Sequence, residues 1–112
     1  MQLTKAKVSC PGIKITLEEN GTSIGRGYLY TFKNELHKEP VGYLEDIYVE
    51  ENQRKKGYGE QIVKALIEEA RQLGCYKIIL TSRYGKERLH EWYKELGFKE
   101  QGKEFRMEIN SL

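Results

Sequence analysis

Proline and cysteine are scarce in this chain, two of each in 112 residues, and tryptophan occurs once. Cys10 and Cys75 lie far apart with no Cys-x-x-Cys spacing, so neither a disulfide framework nor a redox motif is expected. His37 and His90 are equally scattered, and the four residues together make no zinc-ligand pattern; no metal is expected. No apolar run approaches the roughly 20 residues that span a bilayer. The start, Met1 to Lys7, lacks the apolar segment of a secretion signal, which points to a cytoplasmic protein with no membrane partner. Charge of one sign is missing too: 19 basic and 17 acidic residues are interspersed and leave a net charge of +2, so general affinity for nucleic acid is not indicated. What remains, 38% apolar and 32% charged residues, is the profile of a soluble globular protein, and the length suits one domain over residues 1–112 with one active site.

Hydrophobic periodicity divides the chain into elements. Ile13, Ile15 and Leu17 alternate with Lys14, Thr16 and Glu18; Asn20-Gly21 follows, and Ile24, Tyr28, Tyr30 and Phe32 mark a second run, which together predict a tight β-hairpin. Val41 to Val49 reads as a third long strand, while residues 1–10 carry at most a weak strand pattern. From Gly57 the period changes to that of a helix, with Ile62, Val63, Leu66, Ile67, Ala70 and Leu73 on one face, Glu60 in the first turn and Gly74 just past the end. The nearly unbroken apolar run Tyr76 to Leu80 predicts a strand buried on both faces and parallel to Val41 to Val49. A second helix is expected over about Lys86 to Leu96, with Leu89, Trp92, Tyr93 and Leu96 on one stripe and a stop at Gly97. Phe98 then opens a last hairpin in which Phe105, Met107 and Ile109 alternate with charged residues beyond a turn at Gly102. There is no internal repeat and no linker.

The segment that joins the third strand to the first helix concentrates chemistry. In Arg54-Lys55-Lys56-Gly57-Tyr58-Gly59 the glycines let successive backbone N–H groups point at one spot, the helix dipole favours negative charge there, and three cations stand in a row. A diphosphate suits such a place, because its oxygens accept several backbone hydrogen bonds at once. A solvated basic loop, with glycines serving only the turn, would account for the same residues. A nucleotide P-loop is excluded by the missing Gly-Lys-Ser/Thr, and the dinucleotide fingerprint by the missing third glycine and acidic residue.

On these residues the chain resembles the GNAT superfamily of acetyltransferases, whose hallmark Arg/Gln-x-x-Gly-x-Gly/Ala is matched by Arg54 to Gly59. The resemblance extends from about Val41 to Ile109 through Gly74 to Leu80 and through Trp92-Tyr93-Lys94-Glu95-Leu96-Gly97-Phe98, with three motifs in the right order. It implies an α+β (α/β) fold: a central mixed, mostly antiparallel twisted sheet whose fourth and fifth strands in the family's order splay apart, here Val41 to Val49 and Tyr76 to Leu80, with two main helices. It also implies acetyl-CoA as cofactor. The amides of Lys55, Lys56, Gly57, Tyr58, Gly59 and Glu60, with Arg54, would hold the coenzyme A diphosphate, and Ile47, Tyr48 and Val49 would pair with the pantetheine arm as an added strand does. Gly42 to Ile47 and Gly74 to Leu80 look most like the glucosamine-6-phosphate N-acetyltransferases. Two departures stand out: the Asn that precedes the tyrosine of the last helix in those enzymes is absent, and the N-terminal helical pair that walls their acceptor pocket is missing. The acceptor is therefore left open, and a partner subunit, such as a second copy, is one way of completing the pocket.

The implied reaction is direct transfer of an acetyl group to a primary amine of a small molecule, with an amino sugar as one candidate acceptor. Alternatives are a non-catalytic acetyl-CoA sensor and a peptide N-terminal acetyltransferase. The backbone N–H of Ile47 or Tyr48 would support the oxyanion, and Tyr93, a phenol with an ordinary pKa near 10, would protonate the departing thiolate; residue pattern alone equally allows a core tyrosine. Glu45 and Asp46 are candidate bases, and an unbroken pleat would send them to opposite faces, although a bulge, usual in the family, would blur this. Surface carboxylates paired with Lys or Arg are the plain alternative for both. Cys75, at the far end of its strand from the expected site, is not expected to carry an acetyl group. His90 and Arg83 are secondary candidates for touching acceptor or cofactor, His90 being better read as a solvated helix residue.

Overall fold

A computed structural model of the chain describes residues Met1 to Asn110 and divides into two units, Met1–Leu80 and a second that begins at Thr81. The first unit is an open four-stranded sheet in the order β1 (Gly12–Glu19), β2 (Thr22–Phe32), β3 (Val41–Val49), β4 (Lys77–Ile79), with one helix, α1 (Tyr58–Gln72). β1 and β2 form the expected hairpin. Glu19 pairs with Thr22, and the two turn residues, Asn20 and Gly21, both take positive φ (52° and 77°), the geometry that matches the twist of the flanking strands. Residues 1–11 contribute no strand before it.

β3 lies antiparallel to β2 and parallel to β4, as the strand–helix–strand order requires. Two features of β4 differ from expectation. It is only three residues long, and it is not buried on both faces: Lys77 is exposed and Ile79 is 36% accessible. The run Tyr76 to Leu80 is apolar enough for a covered strand, but β4 is the edge of the sheet, and alternate side chains point away from the α1 side.

α1 supplies the core. Ile62, Val63, Leu66 and Ala70 are essentially inaccessible and lie against the sheet face that carries Leu29 and Leu44, whereas Val41, beside Gly42 whose Cβ direction meets Ala70, is buried on the opposite face. Close approach depends on Gly27, where a Cβ would come within 2.8 Å of both Ile62 and Leu66. The helix is supported by Glu60–Lys64 and Glu68–Arg71 ion pairs on its exposed side. It stops in a Schellman motif: Cys75 N–H reaches the Ala70 carbonyl (3.0 Å), Gly74 N–H reaches that of Arg71 (3.1 Å), and Gly74 takes φ 78°.

The second unit contains α2 (Glu87–Glu95), within the expected span. It closes in the same way, with Phe98 N–H to the Tyr93 carbonyl (3.0 Å), Gly97 N–H to Lys94 (3.0 Å) and Gly97 at φ 108°. The spacing Tyr93-x-x-x-Gly97-Phe98 is therefore a helix ending, sealed by the edge-on contact of the Tyr93 and Phe98 rings. The hairpin expected from Phe98 onward is not formed: residues 98–110 make no strand, and Phe105, Met107 and Ile109 are 91%, 81% and 78% exposed. Alternation gives such a segment one apolar face, but a strand also needs a paired neighbour, and none of the described residues pairs with it. Among the described residues no helix is long and apolar enough to cross a membrane.

Candidate active site

The arrangement begins with the way β3 leaves its neighbour. β3 pairs with β4 only through Val41, Gly42 and Tyr43, opposite Lys77, Ile78 and Ile79. From Leu44 to Val49 the β4 side of β3 has no strand partner among the described residues, so the two strands diverge and an edge of backbone donors and acceptors is left open. That edge runs through a single 3-10 turn (Glu51–Gln53) into the start of α1.

At this start Gly57 is the N-cap residue, with φ 84° and no side-chain cap. The left-handed conformation turns the chain sharply into the helix at a residue without Cβ, and the first-turn amides keep no side-chain acceptor of their own. A Cβ at Gly57 would meet nothing within 4 Å, and one at Gly59 only Val49 Cγ2 at 3.8 Å, so the mouth of the helix is open. Lys55 also has positive φ (67°). The three cations are distributed unequally. Arg54 is turned back, its Nε donating to the Val49 carbonyl (2.9 Å) and its guanidinium 5.4 Å from the Tyr48 ring centre. Lys56 reaches Gln53 (3.1 Å), and Lys55 is exposed. A group with several anionic oxygens fits this open amide mouth flanked by exposed ammonium groups.

β3 itself is irregular at the position that matters. Arg26 pairs with Tyr48 and Tyr28 with Glu45, so Asp46 and Ile47 together stand opposite Gly27. This is a β-bulge, and Asp46 takes the left-handed φ of 52°. Glu45 is exposed on the sheet face away from α1, in line with Tyr43 and across from Tyr28, whose ring stacks with that of Tyr30 (5.9 Å). Asp46 is held by Arg26, with Nε to Oδ2 at 2.8 Å and Nη2 to Oδ1 at 3.1 Å. Hydrogen bonding to Arg26 holds the Asp46 carboxyl below the usual carboxylate range and raises the guanidinium in turn. Ile47 and Val49 return to the α1 face, where they approach Gly27 and Gly25.

Of the remaining candidates, Cys75 packs beside Gly42 at the start of β4, away from the open edge, and burial pushes its thiol up. In the second unit Tyr93 is half-buried between the Trp92 and Phe98 rings, and desolvation raises its phenol above the ordinary value. His90 Nε2 is 2.9 Å from Ser82 Oγ, and Arg83 is exposed. A cleft of about 280 Å³ lined by Pro11, Thr31, Phe32, Pro40 and Leu73 lies at the opposite end of the sheet from the helix mouth. Sequence reading missed Arg26, which sits on another strand 20 residues from Asp46; its place on the outward face of β2 is the only local signal.

An open, mixed sheet whose strands part beside a helix N-terminus defines an α+β protein, and open sheets of this kind generally bind ligands outside the carboxyl ends of their strands. Comparison with known families makes this specific. Residues 5–98 match the acetyltransferase (GNAT) family, and the chain belongs to that family. It is 35% identical over 69 residues to a glucosamine 6-phosphate N-acetyltransferase of Trypanosoma brucei brucei, covering 62% of this chain and 45% of that protein. A thialysine N-epsilon-acetyltransferase of Bos taurus is 34% identical over 90 residues, covering 80% of this chain and 50% of that one. The chain thus spans about half the length of the curated relatives it matches. The crystal structure of a glucosamine-6-phosphate N-acetyltransferase from Arabidopsis thaliana superposes with a TM-score of 0.80 at 22% identity, over 88% of this chain and 67% of that one, and shares its fold.

Proposed function

We propose that the chain is an acetyl-CoA-dependent N-acetyltransferase that moves an acetyl group directly to a primary amine of a small molecule. The observation that carries this reading is the open edge Leu44 to Val49 running without a partner into the uncapped start of α1 at Gly57. Acetyl-CoA supplies an acyl group activated as a thioester. In this reading the amides of Lys55 to Glu60 hold its diphosphate, with Lys55 and Lys56 adding charge, and the backbone of Ile47, Tyr48 and Val49 takes the pantetheine arm as an added strand. Arg54, anchored through Nε to the Val49 carbonyl, adds its charge beside Lys55 and Lys56.

The chemistry requires a neutral amine, support for the oxyanion and a proton for the thiolate. Glu45, exposed on the outward face of β3, takes the ammonium proton directly or through water. The N–H of Ile47 or Tyr48 supports the oxygen as the new C–N bond forms and the C–S bond breaks. Tyr93 gives its proton to sulfur, a role taken from the family's motif; burial keeps the phenol protonated, as an acid must be. For the acceptor we favour an amino sugar, on the strength of relatives named glucosamine 6-phosphate N-acetyltransferase. The family match from residue 5 to 98 crosses the boundary at Leu80, which supports treating both units as one catalytic domain.

The test is release of free thiol from acetyl-CoA in the presence of a panel of amines: amino sugars and their phosphates, diamines, amino acids and peptide N-termini. Turnover is expected with at least one small amine. Cofactor uptake without turnover across the panel would contradict catalysis and indicate a sensor.

A further inference from the structure

The bulge in β3 is held by a device that spans two strands and reaches the helix mouth. Asp46 is not glycine, yet its backbone is left-handed at φ 52°, a conformation that a non-glycine residue adopts only at a cost. Arg26, opposite Tyr48 on β2, grips both carboxylate oxygens at 2.8 and 3.1 Å. The same guanidinium stands 4.7 Å from the Tyr48 ring centre, and the Arg54 guanidinium lies 5.4 Å from it. Arg54 in turn donates to the Val49 carbonyl at 2.9 Å. The chain of contacts thus runs from the bulged residue to the last residue of β3 and on to the first cation of the helix mouth.

As an isolated ion pair this would matter little: Arg26 and Asp46 are 36% and 48% exposed, and exposed pairs add little to stability. Its geometry suggests a different task. The two-pronged fork fixes direction as well as distance, and what it fixes is the residue immediately before the Ile47 and Tyr48 amides. Each oxygen of Asp46 accepts a hydrogen bond from Arg26, which stabilises the ionised carboxylate and makes Asp46 a weaker acceptor of the substrate's proton.

We propose that Arg26 and Asp46 are positioning residues: their fork locks the left-handed bulge of β3 and, through Tyr48 and Arg54, keeps the Ile47 to Val49 edge aligned with the start of α1. The proposal rests on the acetyl-transfer reading for its consequence in turnover, whereas the lock itself is a property of the free protein. Alanine at position 46 removes the fork and disfavours the left-handed backbone. Asparagine tolerates that backbone, and glycine adopts it freely.

The experiment compares Asp46→Gly, Asp46→Asn and Asp46→Ala, each with and without Arg26→Ala, by two readouts. In amide proton–nitrogen spectra of the free protein, Asp46→Ala should shift the signals of Ile47 to Val49 and of Lys55 to Gly57, with Asp46→Gly closer to the unaltered protein. In turnover, Asp46→Ala should raise KM for acetyl-CoA by roughly fivefold to thirtyfold relative to Asp46→Gly, the cost of forcing a left-handed backbone. The acid limb of the pH profile of kcat/KM should stay in place in all three, and Arg26→Ala should cost little more once residue 46 is glycine. Equal losses in all three variants with disappearance of the acid limb would make Asp46 the base and overturn the proposal. Unaltered spectra and kinetics in all three would overturn it too, reducing the pair to surface decoration. Absence of turnover in the unaltered protein, with the expected spectral pattern intact, would remove the acetyl-transfer reading and leave the lock standing.

Discussion

Tyr93 does two things with different atoms. Its carbonyl and ring close the C-terminus of α2 against Gly97 and Phe98, while its hydroxyl is the proposed proton donor. These roles separate by mutation, since phenylalanine keeps the ring and the cap. Tyr93→Phe should fold normally and lower kcat on the order of a hundredfold, as loss of a positioned acid does; unchanged turnover would remove Tyr93 from the mechanism. The sign of its pH dependence follows from burial. The phenol is raised above its ordinary value of about 10, so the protonated acid persists through neutral and mildly alkaline solution, and the stability that its burial contributes is complete below about 10 and lost as pH climbs through the higher folded value. Cys75 makes the complementary case. Its thiol is partly buried beside Gly42 and pushed up, so alkylation should label the exposed Cys10 first, and Cys75→Ala should retain kcat.

At the scale of elements, β3 and α1 make the site, and their glycines do different jobs. Gly27 lets α1 approach the sheet, so Gly27→Ala should destabilise by about 1–3 kcal/mol through overpacking against Ile62 and Leu66. Gly57 meets no neighbour, so Gly57→Ala should cost only about 1 kcal/mol from its left-handed backbone but should weaken cofactor binding by more than its effect on the midpoint of thermal unfolding suggests. Comparing the two variants by thermal unfolding and by calorimetric titration separates packing from binding. Most of this architecture was legible in the residues. Alternation gave β1 and β2, Asn20-Gly21 gave their turn, β3 was bounded at Val41 and Val49, and helical spacing placed α1 and α2. The bulge was not legible in detail, because the partner that holds Asp46 is Arg26, on another strand. A pleat counted along β3 alone places Glu45 and Asp46 on opposite faces and cannot show that a left-handed residue intervenes. The length and exposure of β4 also escaped, since edge position depends on which strands pair and not on the apolarity of Tyr76 to Leu80.

At the scale of the molecule, protection is concentrated in the first unit. Among the described residues the largest fully buried side chains, Leu29, Ile62, Val63 and Leu66, all lie there, while residues 98–110 have neither a strand partner nor cover for Phe105, Met107 and Ile109. Amide exchange should therefore be slowest in β2, β3 and α1 and fastest in residues 1–11 and 98–110; protection across 98–110 would show that the alternating segment finds a partner in solution. The central claim is narrower: an open strand edge and an uncapped helix start together grip the cofactor. Titrating coenzyme A into the isotopically labelled protein, and following each backbone amide, tests it most directly. Saturable shifts of Ile47, Tyr48 and Val49 together with Lys55 to Glu60 are predicted. No shift at saturating cofactor, or shifts confined to the Pro11–Phe32–Leu73 cleft at the other end of the sheet, would contradict it.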